Sequence, residues 1–301
     1  MSTTKTTTIP KNIRDVYSQE IIYAAQPKLR FAQFAKKRQD LSQQDGGSVK
    51  FTKYANIARG GKLTEGVNLN EKALSTTEVQ ITVHEYGNAI SITELALQRS
   101  MHDELGEGAL QLANDMAIVL DSEIRDVALT TTNVVYGNGK TSAGSLAAND
   151  GLTAQTIKDA VEALANNNAP KIDGQYYICI ATPHQLRQIR DDDDWINAHT
   201  YQNVDNIYRG EVGMYEGVRF IETTQMPAYT QAQASAKFGA SVACWEAIIF
   251  GENAFAWAEA LEVEMRDNGV QDYGRKHGLA WYAIWGFGLI QEENIFRILT
   301  A

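Results

Sequence analysis

The sequence has few cysteines and no long apolar run, and each absence excludes a class of protein. Only two of its 301 residues are cysteine. Cys179 and Cys244 each lie within an apolar run, which is typical of buried free thiols in a reducing compartment and not of a disulfide framework. No run of about 18 apolar residues occurs, and the threonine-rich N-terminus lacks the apolar core of a secretory signal. We therefore expect a protein that is neither secreted nor embedded in a membrane.

Catalytic signatures are also missing. Gly139-Lys140-Thr141 looks like the end of a phosphate-binding loop, but Val134 stands where that motif requires glycine. His84-Glu85 begins like a zinc-protease helix, but Asn88 occupies the position of the second histidine. The five histidines never occur at metal-ligand spacing, and no Gly-x-Ser-x-Gly elbow is present. The sequence predicts no catalytic residue, no cofactor and no metal site.

Two acidic groups leave an alternative open. Asp191 to Asp194, directly before Trp195, could gather a divalent cation in a soluble metal-dependent enzyme, although four acids at a helix end are typical of a solvated tip. Glu259, Glu262 and Glu264 lie on a strand-like segment, and the simplest interpretation is a strand that faces solvent. Elution as a small oligomer or as a large assembly would distinguish an enzyme from a structural protein.

The charge of the chain is unevenly distributed. The net charge of −10 argues against a dedicated nucleic-acid binder. Residues 1–45 carry eight basic and four acidic residues, or +4, which leaves −14 for the rest of the chain. Such a basic arm could lie across a neighbouring copy, reach toward nucleic acid or remain a solvated terminus. Its apolar clusters favour the first interpretation, because a free tail does not need them; they include Ile21, Ile22, Tyr23, Leu29, Phe31 and Phe34.

A two-stranded ribbon follows the arm. Alternation over 49–57 and again over 79–92 predicts two strands, with a bulge expected at Glu85-Tyr86-Gly87. The polar, glycine-rich stretch between them is too long for an ordinary hairpin turn. Because an isolated ribbon is marginally stable, we expect identical molecules to cover its apolar side. The expected inter-subunit contacts are Ile21, Ile22, Tyr23, Phe31 and Phe34 in the arm, and Arg59, Gly60, Gly61, Lys62, Leu63 and Glu65 at the ribbon tip.

A long helix and a mixed domain make up the remainder. A capping box at Ser91-Ile92-Thr93-Glu94 opens an apolar pattern of helical period that runs to about Leu129. Further helices are predicted over 153–166 and from Pro183, with strands at 176–181, 218–222, 242–250 and 256–264. The aromatic tail over 279–299 is expected to return to the long helix as strands. The fold class is therefore α+β.

This order of elements resembles the Hong Kong 97-type major capsid protein of tailed bacteriophages over about residues 15–300. Arg59-Gly-Gly-Lys-Leu-Thr-Glu65-Gly66 with Val83-His-Glu-Tyr86-Gly87 is similar to the extended-loop region of one coat family. The glycine-spaced segment from Gly210 to Pro227, and Leu186-Arg187 with the acidic stretch ending at Trp195, are similar as well. The resemblance implies five parts: an N-terminal arm over 1–47, an extended loop over 48–92, a peripheral domain with the spine helix over 93–150, an axial domain over 151–268 and return strands over 269–301.

The resemblance also implies a function. Identical subunits would form the pentamers and hexamers of an icosahedral shell around double-stranded DNA, with weak non-specific contact to the DNA and none to a membrane. The shell would be a virion component that assembles in the host cytoplasm. A portal protein is a further implied partner, and scaffolding or decoration proteins remain open. The alternative within the same fold is an encapsulin-like nanocompartment shell, which encloses protein cargo instead of a genome.

Overall fold

The structure is a computed structural model that describes residues 30–38, 48–54, 71–99, 104–192 and 213–301, with positions 57, 59–62 and 68 between them. Its α-helices are α1 (Glu94–Arg99), α2 (Glu104–Ala128), α3 (Ala154–Asn166), α4 (Pro183–Arg190) and α5 (Gln231–Phe238). The strands are β1 (Lys36–Arg38), β2 (Ser48–Tyr54), β3 (Thr76–Thr82), β4 (His84–Thr93), β5 (Val134–Tyr136), β6 (Tyr177–Ala181), β7 (Met214–Tyr215), β8 (Val218–Glu222), β9 (Ala228–Tyr229), β10 (Cys244–Phe250), β11 (Phe255–Gln271), β12 (Lys276–Leu289) and β13 (Ile295–Thr300).

Within the described residues the strands form three sheets. The first has the order β1-β11-β12-β4, and the second has the order β5-β13-β10-β6-β8-β7 with β9 paired to β10. The third is the two-stranded ribbon of β2 and β3. Parallel pairs (β1 with β11, β5 with β13, β6 with β8) occur beside antiparallel ones, so the predicted α+β class is confirmed.

Helix α2 is the predicted spine. Its 25 residues bury one apolar stripe, and acids in the first turn with Arg125 in the last complement the helix dipole. The sequence predicts one helix from Thr93 to Leu129, and the structure has α1 and α2 within that span, with 100–103 outside the described residues. The hydroxyl at the start of α1 belongs to Thr93, the last residue of β4, whose Oγ1 accepts the Ala96 N–H at 3.3 Å; Ser91 of the predicted capping box lies two residues earlier in β4.

The spine packs against the first sheet through a cluster of aromatic side chains. Trp281 and Trp285 of β12 are both buried in this core. Trp281 donates its indole N–H to Asp115 of α2 at 3.0 Å, and the hydroxyl of Tyr86 donates to Glu123 at 3.2 Å. Burial, together with the Glu123 charge, raises the pKa of Tyr86 to about 12. These bonds satisfy polar groups that would otherwise be costly to bury.

A glycine permits the close approach of spine and sheet. A Cβ atom on Gly108 of α2 would collide with the side chain of Ile90 on β4. Glycine is a poor helix former, and in α2 it stands where helix and sheet touch.

The second sheet carries the predicted mixed domain. Helices α3 and α4 cover one of its faces with side chains such as Ile157 and Leu186, which pack against Ile249 of β10. Thr153 caps α3, and Thr182 with Gln185 forms a capping box around Pro183 at the start of α4. The predicted helices and strands of this region are confirmed, within one or two residues at most ends. The exception is the strand predicted over 256–264, which runs on to Gln271 as β11.

The structure corrects the prediction for the ribbon's second strand. That strand ends at Thr82. Val83 separates it from the next strand, and the predicted bulge at 85–87 is absent from the described residues. Residues 84–93 form β4, which pairs with β12 in the first sheet without an irregularity at Glu85-Tyr86-Gly87. The ribbon thus spans 48–82. Of the tail strands, β12 lies against the spine, whereas β13 joins the second sheet.

Candidate assembly surfaces

The base of the ribbon is covered by its own chain. Phe51 and Ile81 are buried against Ala256 and Ala258 of β11. Ile81 is only 2% exposed, and it also lies over two glycines of β12. Small residues on β11 and β12 create the slot that receives these larger side chains. The expectation that identical molecules must cover the whole apolar side of the ribbon is therefore wrong for its base.

The outer part of the ribbon has no such cover. Tyr54, Ile57 and Leu74 are all exposed, Leu74 by 66%. The predicted tip residues Arg59, Gly60, Gly61 and Lys62 are exposed too, and no atom of the described residues lies within 4 Å of a Cβ placed on either glycine. Leu63 and Glu65 lie outside the described residues. The ribbon is thus anchored at one end and presents apolar surface beyond the anchor.

An ion pair fastens the ribbon to the body. Nζ of Lys53 lies 2.9 Å from a carboxylate oxygen of Glu293. The hydrogen bond from Lys53 holds the pKa of Glu293 below its ordinary value of 4.5. A second pair, Lys50 with Glu78 at 2.9 Å, connects the two strands within the ribbon. Both pairs are partly exposed, so their contribution to stability is small.

The described end of the arm is attached to the spine by one buried carboxylate. Oδ1 of Asp121 accepts the backbone N–H groups of Arg30 at 2.9 Å, Phe31 at 2.7 Å and Ala32 at 3.4 Å. Burial raises the pKa of Asp121 above 3.8, and the three bonds and the Arg30 charge oppose that shift. A carboxylate that accepts several N–H groups fixes a backbone turn firmly. Sequence reasoning missed Asp121, since nothing local marks it.

The two described aromatic residues of the arm pack within the chain. Phe31 is fully buried in the core, and the ring of Phe34 lies 5.8 Å from that of Phe250. Beyond them, β1 pairs in parallel with Ala256–Ala258 of β11. Phe31, expected to contact another subunit, is thus buried by the core of its own chain, whereas Phe34 is only partly buried against that core and its contact with another subunit stays a prediction. Ile21, Ile22 and Tyr23 lie outside the described residues.

A second projection lies at the turn between β11 and β12. Val270 is exposed and Tyr273 fully so, beside the short helix α1. Sequence reasoning missed this hairpin, although the Asn268-Gly269 pair, which lies near the end of β11, is a turn signal that could have marked it. The tip adds an exposed aromatic side chain to the candidate assembly surfaces.

The two acidic groups that the sequence marks as candidates do not form a metal site in the described residues. Asp191 is the C-cap residue of α4, and Asp192 accepts the Ala154 N–H at 2.9 Å. Asp193 and Asp194 lie outside the described residues. Among the residues that the structure describes, no group of three His, Cys, Asp or Glu side chains could hold a metal ion. Glu259 does not face solvent as expected: it is buried, 2.7 Å from Lys37 of β1.

Within the described ranges, no helix combines the length and the apolar character that crossing a membrane requires. Both cysteines are free and buried, as predicted.

The spine helix, the ribbon and the two larger sheets define the Hong Kong 97-type fold of tailed-phage capsid proteins. The chain is similar to the capsid of cyanophage Pam1, with 15% identity over 92% of each chain and a TM-score of 0.73. It is also similar to the capsid of Ralstonia phage GP4, with 17% identity over 89% of this chain and 87% of that one and a TM-score of 0.68. A virus-like particle from Pyrococcus furiosus matches less well, with 10% identity over 95% of this chain and 99% of that one and a TM-score of 0.55.

A family model for phage capsid proteins matches residues 76–298, and the chain belongs to this family. No curated protein matches it.

Proposed function

We propose that this chain is the major capsid protein of a tailed bacteriophage and that its copies form an icosahedral shell. The family supports a structural role, and the fold supports a shell. The nanocompartment alternative is not favoured, because the matching family model is one for phage capsid proteins and phage capsids are among the similar structures. The observation that carries the proposal is the ribbon, which is seated on its own body at one end and exposes Tyr54, Ile57 and Leu74 at the other.

The finer assignments form part of the proposal. Pentamers and hexamers form when the axial domain over 151–268, which contributes β6 to β10 to the second sheet, meets its copies around a symmetry axis. The arm over 1–47 and the ribbon over 48–82 reach neighbouring subunits, and the tip contacts of the ribbon are Arg59 to Lys62 with Leu63 and Glu65. Many modest contacts that repeat by symmetry close a shell.

The enclosed genome and the other partners follow from the same role. The net charge of −10 keeps contact with packaged double-stranded DNA weak and non-specific, because like charges repel the phosphate backbone. Assembly takes place in the host cytoplasm, where both thiols stay reduced. A portal protein occupies one vertex of the shell, and the chain catalyses no reaction.

The test is deletion of residues 59–66. The anchored base leaves the rest of the chain folded, so we expect a soluble subunit that cannot form closed shells. A second variant, Tyr54→Ser with Leu74→Ser, keeps the loop length and removes only apolar surface; Thr52→Ala, at an exposed position of the same strand, is its control. Electron microscopy and size-exclusion chromatography report the outcome. Normal particles from the deletion variant would refute the role of the ribbon.

A further inference from the structure

The hairpin of β11 and β12 ends in a turn that presents one aromatic ring to solvent. The last pair of the hairpin is Gln271 with Lys276. Between them Asp272, Tyr273 and Gly274 have φ values of 51°, 56° and 98°, a left-handed conformation that costs energy for the first two. Tyr273 is 104% exposed, so no described part of the chain covers its ring. A bulky residue in a strained, uncovered turn calls for an explanation.

The turn is held in place from both sides. Asp267 accepts the Gly269 N–H at 2.7 Å, and the same oxygen lies 2.9 Å from Nε2 of His277 on the opposite strand. On the other side, the Glu94 N–H at the start of α1 donates to the Arg275 carbonyl at 3.0 Å. These bonds pre-organise the turn, which lowers the entropy that binding through Tyr273 would cost.

A cleft of about 370 Å³ lies beside the turn, next to Asp272 and Arg275. It is formed where α1 meets the hairpin turn, and Leu95 is the one apolar side chain among the described residues that line it. The lining comprises Thr93, Glu94, Leu95, Gln98, Asp272, Arg275 and Lys276. Sites for small molecules are mainly apolar and enclosed, so this charged cleft does not suit such a ligand.

We propose that Tyr273 of one subunit inserts into this cleft of a neighbouring copy of the same chain. The proposal rests on the proposed shell function, which supplies the neighbouring copy. Tyrosine and arginine are the residues that most often dominate binding at protein interfaces, and Tyr273 and Arg275 lie two positions apart.

The charged residues that line the cleft favour a second copy of this chain over a partner of a different kind. Glu94 and Asp272 carry negative charge, and Arg275 and Lys276 carry positive charge. A partner with charge of one sign would meet repulsion from half of these groups. The same patch on another copy offers both signs, and a rotation axis lets each subunit give its ring and receive one.

A cross-link tests the pairing directly. Tyr273→Cys is placed in one tagged chain and Gln98→Cys in a second chain with a different tag, and the two are co-assembled and oxidised. Both natural cysteines are buried, so they do not compete. We expect a disulfide between the two tags in assembled particles only. The control replaces Gln98→Cys with Glu162→Cys, an exposed position on α3, and should give no cross-link.

Truncation of the ring measures its contribution. We expect Tyr273→Ala to raise the subunit concentration needed for particle formation at least about tenfold, and Tyr273→Phe to leave it nearly unchanged. The side chain is fully exposed, so circular dichroism should show an intact fold. Particles that form without the disulfide, or at the original concentration with Tyr273→Ala, would overturn the pairing while the shell function stands. Failure of the wild-type chain to form particles would instead refute the proposed function.

Discussion

Ile81 of the ribbon lies over Gly288 of β12 so closely that a Cβ atom on the glycine would be 2.7 Å from Cγ1 of the isoleucine. Gly286, two positions earlier on the same face, would place a Cβ 2.6 Å from the Thr82 carbonyl oxygen. The two glycines leave the space in which the ribbon is seated, and that seat sets the direction in which the outer ribbon leaves the body.

Substitution of Gly288 by alanine should loosen the ribbon. The added methyl group overpacks the slot, and we expect Gly288→Ala to lower the free energy of unfolding of the unassembled subunit by about 1–3 kcal/mol. Gly286→Ala should cost more, because backbone at Thr82 moves less readily than a side chain. Urea denaturation measures both, and proteolysis of the ribbon should become faster.

A matched control lies in the same strand. A Cβ on Gly278 would find its nearest neighbour, Asn268 Cβ, at 3.5 Å, an ordinary contact, so Gly278→Ala should be nearly neutral. Combining Gly288→Ala with Ile81→Ala removes the clash, and the pair should cost less than the sum of its single changes by at least about 0.5 kcal/mol. Strict additivity would contradict the proposed contact.

Loss of the Asp121 carboxylate should release the described end of the arm. Asp121→Ala leaves the N–H groups of Arg30, Phe31 and Ala32 without their acceptor, and we expect a loss of roughly 3 kcal/mol in the free energy of unfolding. Hydrogen exchange at residues 30–32 should accelerate in the same variant.

Asp121→Asn removes the negative charge and keeps an oxygen that can accept hydrogen bonds. The amide oxygen still accepts the three N–H groups. The amide is also uncharged, so it avoids the cost of burying a negative charge, the same cost that raises the pKa of Asp121. This variant should therefore keep most of the stability at pH 7. If the asparagine and alanine variants are equally unstable, the charge and not the acceptor geometry holds the arm.

The local sequence pattern was sufficient to predict most helices and strands, but not which of them pair or pack together. Periodicity predicted α2, α3 and β6, since each buries residues at its own regular spacing. It could not show that β4 leaves the ribbon, because its partner β12 lies about 190 positions later. Asp121 likewise bonds to backbone some 90 residues earlier. Gly286 and Gly288 are interruptions in a strand pattern, and only the seated ribbon explains them.

Acid should disconnect the ribbon from Glu293. The folded-state pKa of Glu293 lies below 4.5, so its bond to Lys53 is complete above that value and is lost as the pH falls through the lowered pKa. We expect Lys53→Met to raise the pKa of Glu293, measured by carbon-13 NMR of labelled glutamate in the unassembled subunit. Lys50→Met is the control, since its partner is Glu78 and the Glu293 titration should not change. A titration at 4.5 in the wild type would argue that the pair does not persist in solution.

The buried thiols should report unfolding. Burial raises the pKa of Cys179 from 9.0 to about 12, which lowers its reactive thiolate fraction about a thousandfold at neutral pH. Burial and the nearby Glu246 charge also raise the pKa of Cys244. We therefore expect neither cysteine to react with a thiol reagent in the native chain and both to react in denaturant, whereas the exposed thiol of Tyr273→Cys should react at once. Rapid reaction of two thiols in the native wild type would show that the second sheet opens far more readily than its packing implies.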